Sequence, residues 1–324
     1  VMNVLLKQAE SYAYTEYKGK IQNWGYIANL SLNRFYYSQR DNHSERYGFQ
    51  PSLLVSYNPV DNLHFRYHIN LKNNAPSIAY LNDVEQRIDI LQTRRGNPDL
   101  KSFRSTIQDF NAIFSTGIFS IDALVSYAYE KNPIMESVIY EEGMFIHTYE
   151  NQKSFQHLAA EVTFKIKPWK DHISLSVTPG INRYISTGNN YLHTYTLKEL
   201  RINLDASYKN WLLSFMTITP PNRYVYGEQL LKGDLMHTLM IGYKQPAWSI
   251  MAGIHNPFMK TYRSENANWS ALNPVKSDIH STNMSNTIVV KLNFNLNFGR
   301  QYKGANKGIQ NIDTDSGILQ GTKE

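Results

Sequence analysis

The sequence predicts an all-β protein whose antiparallel strands form the wall of a transmembrane β-barrel, and three observations carry that prediction. Apolar and polar residues alternate with a period of two along most of the chain, the pattern of a strand with one oily and one wet face. Short turns alternate with long polar stretches, as they do in outer-membrane barrels. No window approaches the roughly 18 consecutive apolar residues of a helical span. A chain of this kind enters a bilayer only as a closed sheet, in which every backbone group is paired.

Alternation marks about thirteen strands. Segment 10–20 is rich in Tyr and leaves its faces unassigned; segments 26–38 and 49–57 follow. The fourth sets Leu63, Phe65, Tyr67, Ile69 and Leu71 against His64, Arg66, His68, Asn70 and Lys72. After segment 106–115, Phe119, Ile121, Ala123, Val125, Tyr127 and Tyr129 oppose Ser120, Asp122, Ser126 and Glu130. Leu158, Ala160, Val162, Phe164 and Ile166 then oppose Glu161, Thr163, Lys165 and Lys167, and Ile173, Leu175 and Val177 oppose Ser174, Ser176 and Thr178. Leu200, Ile202, Leu204 and Ala206 oppose Arg201, Asn203, Asp205 and Ser207. Segments 211–219, 235–244 and 248–256 are weaker, the first of them again without assignable faces. Segment 288–298 is the clearest: Ile288, Val290, Leu292, Leu296 and Phe298 alternate with Lys291, Asn293, Asn295 and Asn297. About eleven residues is the length that a tilted strand needs to cross a bilayer.

The connections at 20–24, 58–62, 116–118, 168–171, 209–210 and 245–247 are short, whereas 39–47, 73–104, 220–234 and 257–280 are long and polar. The short set is assigned to the periplasm and the long set to the outside. Tyr140 to Gly143 is expected to cap a hairpin projecting beyond the membrane. Tyr57, Trp169, Tyr208, Trp211 and Trp248 lie near strand ends, where an interfacial aromatic belt belongs.

Composition agrees. Among 324 residues, 13% are aromatic, 23 of them Tyr, while mean hydropathy is negative, because opposite faces cancel in the average. The absence of cysteine excludes disulfide staples and thiolate metal sites. A charge of +6 without a basic stripe gives no support to nucleic-acid binding.

Two segments carry a family resemblance. Arg95-Gly96-Asn97-Pro98-Asp99-Leu100-Lys101, ahead of a strand, resembles the Gly-Asn-Pro-Asx-Leu-Lys segment of TonB-dependent receptor barrels, although Ser102-Phe103 follows where that family often has Pro-Glu. Leu292 to Phe298 and the following Gly299-Arg300-Gln301-Tyr302-Lys303-Gly304-Ala305-Asn306 resemble the end of such barrels in Bacteroidetes-type bacteria. The resemblance implies a 22-stranded barrel around a plug, an inner-membrane energy-coupling partner and cargo taken up from outside. Thirteen strands without a plug then read as the C-terminal part of a receptor. The N-terminus, Val1-Met2-Asn3-Val4-Leu5-Leu6-Lys7, has no basic n-region or cleavage site, so earlier strands, plug and signal peptide are expected upstream. Residues 1–299 are assigned to the barrel and 300–324 to a flexible periplasmic tail.

The candidate site residues follow from these assignments. Gly96, Asn97, Pro98, Asp99 and Leu100 fit turn chemistry, with a ligand role for Asp99 as the lesser reading. His64, Arg66, His68, Glu161, Lys165, Arg201, Asp205, Lys291 and Asn293 are expected to face the lumen, where they either contact the plug or are simply solvated. His64 and His68 stand roughly 13 Å apart on a strand, too far for one metal ion. Tyr191, Tyr195, Arg223, Tyr224, Tyr226, Tyr262 and Trp269 place rings among amides and charges in the long loops, suited either to cargo or to ordering the loops themselves. No nucleophile elbow or phosphate-binding loop is found, and neither an enzyme nor a cofactor is expected. A passive porin-like channel and a soluble all-β binding module remain as alternatives to the uptake receptor.

Overall fold

The computed structural model describes residues 6–39, 42–169, 172–219 and 224–295. The chain builds a wall, leaves it four times on the same side, and returns each time. Strands β1 (Leu6–Ile21), β2 (Trp24–Gln39), β3 (Asn42–Val60) and β4 (Leu63–Asn74) begin the wall. A one-turn helix α1 (Ile78–Leu81) and short strands β5 (Gln86–Arg87) and β6 (Gln92–Arg94) follow outside it. The chain returns as β7 (Phe103–Ser115) and β8 (Phe119–Lys131), then departs as the hairpin β9 (Ile134–Glu141) and β10 (Met144–Asn151). Next come wall strands β11 (Ser154–Trp169), β12 (Ile173–Thr187), β13 (Leu192–Tyr208) and β14 (Trp211–Ile218), and the outer strands β15 (Tyr224–Tyr226) and β16 (Gln229–Gly233). Wall strands β17 (Met236–Lys244) and β18 (Trp248–His255), outer strands β19 (Tyr262–Asn268) and β20 (Val275–Ser281), and wall strand β21 (Thr287–Phe294) complete the described chain.

The wall is one sheet of 13 strands in which each strand is hydrogen-bonded to the wall strands that precede and follow it, and every pairing in it is antiparallel. Among the described residues it is open, with β1 and β21 as its edges. The excursions form two four-stranded sheets, β5-β6-β10-β9 and β15-β16-β19-β20. One pair departs from the antiparallel expectation: β6 runs parallel to β10 over three residues, Gln92 to Arg94. Glu142 and Gly143, both at positive φ, make the β9–β10 turn, so that the hairpin expected around Tyr140 to Gly143 is present.

The two faces of the wall meet different media. On one, Phe110, Val125, Leu158, Phe164, Leu213 and Ile241 are exposed, and no second layer covers them among the described residues. A soluble module would bury such a continuous apolar surface. Buried apolar residues gather instead on the other face, where the outer strands fold down on it. Phe35 and Tyr37 of β2 pack there with Ile78, Leu81, Leu100 and Ile134. Phe155, Tyr184 and Leu197 of β11 to β13 pack with Met135, Val225, Leu230 and Ala267.

Rings cluster at the short-turn end of the apolar face. Trp24 stacks on Tyr57 with centroids 4.3 Å apart, Trp211 meets Tyr243 at 5.2 Å, and Tyr243 meets Trp248 at 6.0 Å. Trp169 lies 6.4 Å from Tyr208.

Two loop assignments need correction. Residues 39–47, expected to be a long loop, are largely strand, with the β2–β3 ladder running out to Gln39 opposite Asn42. The polar excursions at 73–104, 220–234 and 257–280 hold the outer strands. Beyond the lipid both faces of a strand can meet water, so the ladder continues where the alternation fades.

Candidate functional site

Register determines which side chains share the polar face. His64, Arg66 and His68 of β4 pair with Ile113, Asn111 and Asp109 of β7. Glu161 and Lys165 of β11 lie opposite Leu124 and Ser120. Arg201 and Asp205 of β13 lie opposite Thr178 and Ser174, and Lys291 and Asn293 of β21 opposite Met251 and Ser249. All nine sequence-chosen residues project from the face on which the outer sheets fold.

Many of them bond across the strands. Arg201 donates to Glu161 at 2.9 Å, Asp205 accepts from Ser214 at 2.8 Å, and Asn293 donates to Ser249 at 3.2 Å. His64 bonds Asn58 at 2.9 Å, whereas His68 faces Asp109 at 3.6 Å. The two imidazoles therefore have separate neighbours.

The Gly-Asn-Pro-Asp segment forms a clamp between the first outer sheet and the wall. Gly96 N–H donates to the Asn82 carbonyl at 2.8 Å and Asn97 N–H to that of Tyr80 at 2.6 Å. The Asn97 side chain donates to the Tyr149 carbonyl at 3.0 Å and accepts from Asp99 N–H at 2.9 Å, an Asx turn. Leu100, 1% exposed, is drawn in behind it, and its carbonyl accepts from Arg46 of β3 at 2.6 Å. Asp83, Gly96, Asp99, Thr148 and Glu150 line a cleft of about 400 Å³ beside the segment.

The ring residues chosen from the long loops mostly lie at the junction of the two outer sheets and the wall. Tyr226 donates to Glu130 of β8 at 2.9 Å and meets Phe155 edge-on, centroids 4.7 Å apart. Tyr191 reaches the Met135 sulfur at 3.4 Å, and Tyr262 is buried. Burial raises the phenol pKa of Tyr191 and Tyr226 well above the ordinary tyrosine range. Tyr195 is not in a loop but on β13, and its ring and that of Trp269 are 6.2 Å apart. Arg223 lies outside the described residues, as do the Tyr224 side chain and the segment 296–324.

Sequence reasoning passed over Lys232, Glu265 and Lys276. The β16–β19 register sets Lys232 opposite Glu265, and their side chains meet at 3.0 Å. Arg263 and Lys276 approach the same carboxylate at 3.5 and 3.8 Å. The two-residue spacing of Arg263 and Glu265 is visible in the sequence, but nothing local pairs Glu265 with Lys232.

Glu228 lies in the β15–β16 turn, at the junction. Burial first, then the carboxylates of Glu136 and Glu150, push its pKa above the usual carboxyl range. A folded carboxyl with a raised pKa favours the protonated form, so its contribution to stability is greatest at acid pH and is lost as pH rises through the folded value. Hydrogen exchange across β15 and β16, corrected for intrinsic rate, is expected to quicken as pH rises above the ordinary carboxyl range. Glu228→Gln should flatten that dependence; an unchanged profile would exclude Glu228 as its source.

Comparison with known proteins agrees with this architecture. The model of the outer membrane protein beta-barrel family matches residues 3–219. No curated protein sequence matches the chain. Among solved structures it is similar to the FrpB iron transporter of Neisseria meningitidis (F3-3 variant), with a TM-score of 0.59 and 11% identity over 84% of this chain and 44% of that one. It is similar to the siderophore receptor PirA of Pseudomonas aeruginosa, with a TM-score of 0.55 and 13% identity over 90% of this chain and 57% of that one. The copper transporter OprC gives a TM-score of 0.62 and 11% identity over 90% of this chain and 48% of that one. The chain thus spans about half the length of the solved proteins it matches. With an exposed apolar wall face, roofed polar face and alternating short and long connections, the chain belongs to the outer membrane protein beta-barrel family and resides in the bacterial outer membrane.

Proposed function

We propose that the chain forms part of the barrel of an outer-membrane uptake receptor of the Bacteroidetes type, in which outer strands capture a scarce solute such as a siderophore, oligosaccharide or peptide. A plug inside the barrel, energised by an inner-membrane coupling protein, would then admit it. The observation that carries this reading is the asymmetry of the wall: its polar face holds cross-bonded charges such as Arg201 and Glu161 and is roofed by two folded sheets at one end only. A lumen of receptor size holds a plug, and the charges offer it hydrogen-bonding partners. Iron, siderophore and copper proteins among the structural neighbours agree with a solute of low abundance. Residues 1–299 serve as barrel and 300–324 as periplasmic tail in this reading.

Planar-bilayer recording of the full-length protein tests it. A plugged receptor is expected to stay closed until denaturant loosens the plug. A steady open conductance without denaturant would overturn the proposal and favour the passive channel.

A further inference from the structure

The cleft between β13 and the second outer sheet has the composition of a ligand site. It measures about 510 Å³ and is lined by Tyr195, Lys232, Glu265, Asn268, Trp269 and Lys276, among others, a size usual for small-molecule sites. The rings of Tyr195 and Trp269, tilted by 41°, form one wall.

Charged residues complete the lining, and the charges at and around the cleft are unequally engaged. Glu265 is buried and its carboxylate lies 3.0 Å from Lys232. Asp278 is held by Arg263 at 2.9 Å. Lys276 lies 3.8 Å from Glu265 and 3.7 Å from Asp278, beyond hydrogen-bond reach of both, and more than half of its side chain is exposed. Its ammonium is oriented by two carboxylates but retains N–H donors for an incoming anion.

Resting on the uptake reading, we propose that this cleft binds an acidic sugar, a ring bearing one carboxylate and several hydroxyls. The ring's apolar face stacks on Trp269 and Tyr195, and its carboxylate accepts hydrogen bonds from Lys276. Its hydroxyls, which both donate and accept, meet Glu265 and the Asn268 amide. The buried Glu265 carboxylate disfavours a multiply charged catecholate and accepts from a hydroxyl. A neutral sugar would stack equally well but gain no charge-assisted hydrogen bond from the Lys276 ammonium.

Calorimetry on the full-length protein in detergent tests the assignment, with a hexuronate disaccharide, the neutral hexose disaccharide of the same linkage and 2,3-dihydroxybenzoate as probes. The hexuronate is expected to bind about tenfold more tightly than the neutral sugar, the worth of one charge-assisted hydrogen bond. Lys276→Gln should erase that difference while preserving neutral-sugar binding. Trp269→Ala should weaken both sugars, and Trp269→Phe should restore most of the loss. No binding of hexuronate, tighter binding of dihydroxybenzoate, or a Lys276→Gln variant with unchanged preference would each overturn the acidic-sugar assignment. A closed bilayer conductance without hexuronate binding defeats only this inference, whereas an open conductance with binding intact defeats only the receptor reading.

Discussion

Val125→Arg is expected to abolish assembly of the barrel, while the same change at the adjacent Leu124 is tolerated. Both residues are apolar and both lie at the middle of β8, so composition and position along the strand do not separate them. Register does. Val125 is flanked by Phe110 and Ala160 on the neighbouring strands, whereas Leu124 is flanked by Asn111 and Glu161. Val125 therefore belongs to the exposed apolar face, where a guanidinium near the bilayer midplane costs about 2 to 4 kcal/mol. At position 124 the new guanidinium meets the Glu161 carboxylate and water. Heat-modifiable migration in gels and protease resistance of outer-membrane fractions would read the outcome. Equal assembly of the two variants would show that the apolar face does not meet lipid. The reverse order would mean that the faces are exchanged.

The wall was legible in the sequence because lipid and water sort side chains onto alternate positions, and a strand such as β4 needs only that sorting. Where the sorting fails, legibility fails with it. In β14 the apolar face carries Trp211, Leu213 and Phe215, but the polar face carries Leu212 and Met216 as well, so no face stands out. In β1, Tyr12 and Tyr14 share the polar face with Glu10 and Glu16, while the opposite face offers Ala9, Ser11, Ala13 and Thr15. Tyr12 and Tyr14 thus point away from the side that an apolar reading would choose, whereas Tyr17, paired with Ala28, lies on it.

The candidate site shows a second limit. Lumen candidates lie on strands and follow from alternation alone, and the structure places them on one face. The contacts of the outer sheets join segments far apart in the chain, as when Asn273 donates to Gln92 at 3.2 Å or Tyr226 reaches Glu130. No periodicity encodes such partners. Rings chosen from the loops by composition alone therefore divide between those that hold the junction, such as Tyr226, and those that line an open cleft, such as Trp269.

Gly96→Ala is expected to release the first outer sheet from the wall while the barrel itself still assembles. A Cβ at position 96 would stand 2.5 Å from the carbonyl oxygens of both Tyr80 and Asn82 and 2.8 Å from the Asn82 nitrogen. All three are backbone atoms, and the two oxygens accept the hydrogen bonds that seat Gly96 and Asn97. Relief of the clash therefore breaks the clamp instead of rotating a side chain aside. Overpacking together with two lost backbone hydrogen bonds amounts to about 3 kcal/mol, on the order of a hundredfold more frequent local opening. Hydrogen exchange should accelerate from α1 through Leu100 and in β10, whose Tyr149 carbonyl loses the Asn97 amide, but not in β8 or β11. Asn97→Ala, which removes only side-chain bonds, should produce a smaller effect in the same segments. Gly117→Ala is the matched control, since nothing lies within 4 Å of its added methyl. Exchange in Gly96→Ala no faster than in Gly117→Ala would mean that the motif does not fasten the outer sheet, and would leave the adjoining cleft, with Asp99 on its rim, as the remaining reason for the segment.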